Sequence, residues 1–201
     1  GRLHGRYDIA TDQLIIDQLQ LAGERTRVRG EVRVRDFSRI LRAAPNEPAA
    51  FDIALPTLNL DVPGTFASPV SLSDVHVVGS IVSADRAINF TTVHAKAGDG
   101  VVDATGRFYW GEAGPQHHLY PGFALDGTVG GAVSVQQVMA CWPASLGGSV
   151  REYVAKGLRA GTVTNGRAHI DIRPSDSLTE ALRQDAINVT FDVTNGEFMF
   201  V

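Results

Sequence analysis

The chain has 201 residues, with 44% hydrophobic and 20% charged residues and a formal net charge of −4. That balance belongs to an ordered chain with a core, and it excludes the basic surface that phosphate binding needs, so no nucleic-acid partner is expected. No apolar run is long enough to span a bilayer, no signal peptide is visible, and the single cysteine, Cys141, has no partner for an internal disulfide and reads as a buried, inert thiol beside Trp142.

The chain opens inside strand-like sequence at Gly1–Tyr7 and closes the same way at Gly196–Val201. Both ends read as cut within strands. The expectation is therefore a single fragment, 1–201, of a larger repetitive β protein, and the missing targeting signals then say little about location.

Leu14 and Ile16 lie on one face of a strand, and Leu19 and Leu21 continue that face after a change of parity at Asp17-Gln18. A bulge or bend there would keep the apolar side inward as the sheet curves. The next strand, Arg27–Arg35, alternates cleanly: Val28, Val32 and Val34 on one face, the arginines and Glu31 on the other. The pattern then returns. Ile88, Phe90, Val93 and Ala95 repeat the first strand with its phase change at an offset of 74, and Val102, Ala104, Gly106, Phe108 and Trp110 echo the second. Matching Gly106 to Gly30 gives that second strand an offset of 76, with the difference placed at Ala97–Gly100. The shared phase change favours a structural repeat over chance alternation.

Further strands are expected at Phe51–Leu55, Thr57–Val62, Leu72–Val82, Ala124–Val129, Gly166–Ile172 and Ile187–Val193. Turns are expected at the Asp99-Gly100, Asp126-Gly127, Asn165-Gly166 and Asn195-Gly196 steps. Arg42–Pro48 and Glu112–Pro121 read as loops, and Phe37–Ala43 as one or two helical turns.

Residues 134–161 break the β pattern. Ser134 with Gln137 and Ser149 with Glu152 have capping-box spacing. The first helix carries Val135, Val138, Met139 and Trp142 on one side and stops at Pro143. The second carries Val150, Tyr153, Val154 and Leu158 inward and Arg151, Glu152, Lys156 and Arg159 outward, with Gly161 at the C′ position. A further short helix is expected at 178–184, opened by a capping box of Ser177 and Glu180. The fold class that follows is mainly β: an extended, curved antiparallel sheet, groove-like, with a short helical insert.

Trp142-Pro143, then Arg151, Tyr153, Val154, Leu158 and Gly161, and the return to strand at Val163 resemble the AsmA-like superfamily of bacterial envelope proteins (YhdP and TamB types), in particular a YhdP-like region. Tyr153 stands where that family usually has Trp. The resemblance implies a long sheet curled into an apolar groove that shields phospholipid acyl chains between inner and outer membrane. It implies a periplasmic location, an inner-membrane anchor in a region absent from this chain, and envelope protein partners. In that reading the lipid-facing residues are Leu14, Ile16, Leu19, Leu21, Val28, Val32, Val34, Ile88, Phe90, Val93, Val102, Phe108 and Trp110, and the helical motif is architectural. The alternative is a non-catalytic structural or assembly module of the envelope with a closed core. Periodicity cannot separate the two, because an apolar face covered by helices is also how an ordinary core is built.

Other signals carry less. The seven arginines from Arg25 to Arg42 read as a solvated strand face rather than an anion-docking surface. His117-His118 lack a second ligand cluster at metal-site spacing, and His4, His76, His94 and His169 read as outer-face residues. No nucleophile elbow or phosphate-binding loop is present; Ser149 is better explained as a cap. Trp142 is weighed as a groove gatekeeper against a structural anchor, and the anchor is preferred. No enzyme activity, cofactor or metal is expected.

Overall fold

The structure, a computed structural model, describes residues 1–22, 26–42, 47–61, 64, 66, 68–142, 148–178 and 182–199, with only the backbone for Gly148, Ser149, Val150 and Phe198. The strands are β1 (Arg2–Asp8), β2 (Gln13–Ala22), β3 (Arg27–Arg35), β4 (Ala49–Leu60), β5 (Val70–Val82), β6 (Ala87–Ala97), β7 (Gly100–Ala113), β8 (His118–Gly130), β9 (Val133–Ser134), β10 (Leu158–Ile172) and β11 (Ile187–Phe198). Three short helices accompany them: α1 (Phe37–Arg42), α2 (Val135–Cys141) and α3 (Gly148–Gly157). The strands form one open antiparallel sheet in chain order from β1 to β11, with β9 a short side pairing on β10.

The phase change at Asp17-Gln18 is a bulge. Ile16 pairs with Val32 and Leu19 with Gly30, so two residues of β2 face the single Glu31. Thr91-Thr92 of β6 do the same opposite Thr105. Such bulges bend the strand and sharpen its twist, and they keep apolar residues on one side of a curving sheet. The repeat is stricter than glycine matching suggests. Leu14–Val34 corresponds to Ile88–Phe108, and Leu21–Val28 to Ala95–Val102, so the offset is 74 in both strands rather than 76 in the second. Gly30 lies just beyond its bulge and Gly106 just before its own, which is why aligning the two glycines misleads.

Two uncharged rows cross the whole sheet. One runs Tyr7, Leu14, Val34, Phe51, Gly79, Phe90, Gly106, Leu125, Ile170, Ile187; the other runs Gly5, Ile16, Val32, Ile53, Val77, Val93, Ala104, Gly127, Ala168, Val189. The opposite face carries the polar residues, including Arg27, Arg29, Arg33 and Arg35 of β3, all exposed; Arg25 lies outside the described residues. Helices cover only parts of the apolar face. Phe37 and Ile40 of α1 pack over Val34, Ala49 and Phe51, while α2 and α3 pack Val135, Val138, Met139 and Val154 against Leu158 and Val163.

Between these covers, among the described residues, the face is a single layer. Among the described residues no large side chain is completely enclosed, and the folded chain exposes 12362 Å². A compact monomer of this mass would expose about 9,200 Å². The excess is what an uncovered sheet face should produce.

Several sequence expectations change. Phe51–Leu55 and Thr57–Val62 form the single strand β4 as far as Leu60, because Leu55-Pro56 bulge opposite Gly30, where the ladder asks no N–H of the proline. Of the four turn steps only Asp99-Gly100 closes a hairpin, between Ala97 and Gly100. Asp126-Gly127 lies within β8, and Asn165 (φ 53) and Asn195 (φ 52) open register shifts within β10 and β11. The β7–β8 connection is only residues 114–117, shorter than the expected loop Glu112–Pro121. The expected helix at 178–184 is replaced by a 3-10 helix, Pro174–Leu178, followed by non-helical residues 182–184; Glu180 lies outside the described residues.

That connection is held by a knot legible only in three dimensions. Arg183 donates to the buried Asp176 carboxylate at 3.2 and 3.3 Å, to the Asp171 carbonyl at 2.7 Å and to the Asp185 carboxylate at 2.8 Å. Burial pushes the Asp171 carboxyl up, but hydrogen bonds from Arg183 and Arg173 outweigh it and leave its pKa low.

Candidate functional site

Every expected lipid-facing residue lies on the apolar face. Val34 is buried; Leu14, Ile16, Leu19, Val28, Val32, Ile88, Phe90, Val93, Val102 and Phe108 are half-buried; Leu21 (49%) and Trp110 (41%) are exposed. The Trp110 ring meets Phe108 edge-on at 4.6 Å.

The helical insert turns part of this face into a slot. After β8, the chain passes Gly131 (φ 80) and continues along β10 through β9, and Ser134 caps α2: Gln137 N–H donates to the Ser134 hydroxyl at 3.2 Å, and Ser134 N–H donates to Gln137 Oε1 at 3.1 Å. This is the expected capping box. Gly98 (φ 60) lets the β6–β7 hairpin approach, since a Cβ there would collide with the Gln137 amide. Helix α2 thus lies across the sheet with Val138, Cys141 and Trp142 as roof. Val102, Val129, Ile170, Ile187 and Val189 form the floor of a half-open slot of about 220 Å³, lined almost wholly by apolar atoms. Enclosed pockets for drug-sized ligands measure roughly 300–1,000 Å³, so this one suits an alkyl chain better than a headgroup. Burial pushes the Cys141 thiol pKa up, the opposite of activation.

The motif residues have specific duties. Arg151 Nε donates to the Trp142 carbonyl at 3.3 Å, tying α3 to the C-terminal end of α2. Arg151 is therefore half-buried rather than outward. Val154 and Leu158 pack inward as expected. Tyr153 does not: it is 79% exposed, because α3 docks through Val154 and Leu158, and Leu158 is already the first residue of β10. Gly161 is no helix C′ residue either. It sits in β10 at φ 137, where a Cβ would meet Val193 and Gly196 of β11 at 2.9 and 3.0 Å. Pro143 lies outside the described residues, as does the Ser149 side chain; α3 starts at Gly148, placing Ser149 within the helix rather than ahead of it. Glu152 instead accepts from Lys156 at 2.6 Å.

The polar face holds a wider, open hollow of about 700 Å³, lined by Thr91, Asp103, Asp126, Arg167, His169 and Thr190 among others. That hollow is more open, and charged groups interrupt its apolar lining, whereas the slot offers nearly unbroken apolar surface that water leaves at a gain of about 25 cal/mol per Å². The histidines missed as a set in the sequence are paired across strands: His4 with Asp17 (2.6 Å), His76 with Asp52 (3.1 Å), His94 with Asp103 (2.7 Å) and His169 with Asp126 (2.6 Å). Only register could have revealed this. His117 meets Glu112 at 3.2 Å and His118 meets Gln116 at 2.7 Å, so the two histidines have separate partners. Among the described residues no group of three His, Cys, Asp or Glu is placed to hold a metal.

The hydrogen bond to Asp126, and then its charge, raise the His169 pKa above the ordinary histidine value. A raised folded-state pKa stabilises fully below about pH 6.5 and is lost as pH rises through the folded value. His169→Gln should therefore lower the urea midpoint more at about pH 5.5 than at about pH 8.5. Equal losses at both would show that the pair contributes no charge.

Comparison with models of known protein families, with curated proteins and with solved structures returned no match. No helix among the described residues is long and apolar enough to cross a membrane.

Proposed function

We propose that this chain is a non-catalytic segment of an AsmA-like, bridge-type lipid-transfer protein. It shields phospholipid acyl chains in the periplasm between inner and outer membrane. A region outside this chain would supply the inner-membrane anchor, and other envelope proteins would meet it at either membrane. The observation that carries this reading is the pair of uncharged rows crossing every strand of the path from β1 to β11, with Ile53, Val77, Phe90, Val93 and Leu125 only half-buried across the middle of the sheet and α2 as a roof at the slot. Alkyl burial gains about 0.8 kcal/mol per CH₂, and the slot lining has almost no polar group to read a headgroup. Binding should therefore be tight enough to hold a chain and loose in lipid species.

The second reading, an envelope assembly module with a closed core, is favoured by the helices that cover part of the apolar face. Native mass spectrometry of the protein purified from bacteria separates the two. Lipid transfer predicts phospholipid-sized adducts that return when stripped protein is incubated with phospholipid vesicles. Protein that stays lipid-free after that incubation would sink the lipid reading.

A further inference from the structure

The slot beneath α2 has one closed end. At the β6–β7 hairpin, Gly98 lies against the Gln137 amide and Gly100 against Val133, so close that a Cβ on either glycine would strike its neighbour. Gly131, after β8, sits in the same way against the Asp99 carbonyl of that hairpin. The hairpin, β9 and the first turn of α2 therefore touch, and Ala97, Gly100, Val133 and Gln137 form an end wall. The other end lies between Trp142 and Val189, which is 38% exposed. The wall stands on β6 and β7, inside the sheet, and does not depend on what lies beside β11.

Size and polarity restrict what can enter. A group the size of a water molecule or a methylene takes about 30 Å³, so a slot of about 220 Å³ takes roughly seven carbons. That is part of one chain and not two chains side by side. At the wall, Gln137 carries the polar side chain, and its Oε1 already accepts from the Ser134 N–H at 3.1 Å. A headgroup pushed to the wall would lose its water and gain too few partners in return. A chain must enter methyl end first.

We infer that the slot reads the length of a single alkyl chain. It seats the terminal segment of one acyl chain, with the methyl end against the β6–β7 wall and the headgroup outside, toward Trp142 and Val189. Ala97 sets the depth. This inference rests on the lipid reading and sharpens it: one unbranched chain is enough, so a monoacyl amphiphile is a ligand, and its headgroup goes unread. Inside the slot each methylene lies between floor and roof; beyond it, only the one-sided sheet face is in contact. A fully buried methylene gains about fourfold in affinity, and a half-buried one about twofold.

Cys141 reports on the slot directly, because it is the only cysteine of the chain and lies in the roof. The test measures how n-alkylphosphocholines of about four to about twelve carbons, below micelle formation, protect Cys141 of the whole chain from N-ethylmaleimide. Affinity should rise about fourfold per carbon up to roughly seven carbons, and about twofold per carbon beyond. Ala97→Leu, which fills the wall by about three carbons, should bring the break about three carbons earlier. Val102→Ala, which removes about two carbons from the floor, should delay it by about two. Opposite shifts in two variants that keep the wild-type circular dichroism cannot come from misfolding. A single slope across the series, or a break that neither variant moves, would overturn the inference and leave alkyl binding by the sheet face intact. Absence of protection at every length would overturn it as well, and the lipid reading would then rest on the vesicle adducts alone.

Discussion

Replacing Phe51 with alanine is expected to cost about 3–4 kcal/mol of stability, the largest single loss on the apolar face. The ring is 6% exposed, lies in the cluster with Val34 and Ala49, meets Phe90 edge-on at 6.1 Å and covers Gly79. Its removal leaves a gap between two strands whose backbones are pinned by their ladder, so the site cannot close. Domains are stable by about 5–15 kcal/mol, and the loss should be plain in urea unfolding followed by circular dichroism. Gly79→Val attacks the same contact from the other side and should also destabilise, since its Cβ would strike both the ring and the Asn89 carbonyl. A loss below about 1 kcal/mol for Phe51→Ala would mean that this end of the sheet is not held by the contact.

Val129→Glu should empty the slot. Val129 lies in its floor, opposite Gly166 on β10. A carboxylate there must either stay hydrated, flooding the slot, or lose its water at a cost of several kcal/mol. Either outcome removes the apolar surface that an acyl chain would use, and the lipid retained should fall by about tenfold or more. Thr128→Glu is the matched control. It puts the same charge on the same strand, but on the polar face opposite Arg167. Equal lipid retention by the two variants would remove the slot from the account.

Much of the sheet was legible because a half-buried strand writes its faces as parity. The shift from Ile16 to Leu19 announces a bulge, and the bulge is there. The Ser134–Gln137 spacing announces a cap, and the cap is formed. What parity cannot give is which strands meet and in what register. The His–Asp pairs and the Arg183 knot depend on neighbours far apart in sequence, so they were invisible. The Asp-Gly and Asn-Gly steps misled for a related reason. Residues that tolerate positive φ serve bulges as well as turns, and at Asn165 and Asn195 the chain uses them for register shifts within strands. Tyr153 failed because a short helix with apolar residues on more than one side has its buried face chosen by docking, here through Val154 and Leu158.

The central claim is that one face of this sheet handles lipid and the other does not. Photo-crosslinking probes placed one residue apart test it directly. Ile16 and Phe90 lie on the apolar rows, while Ile15 and Asn89 are their neighbours on the opposite face. With probes introduced singly at these four positions in bacteria, the account predicts phospholipid adducts at 16 and 90 and none at 15 and 89. Adducts that ignore parity, or none at any of the four, would contradict it.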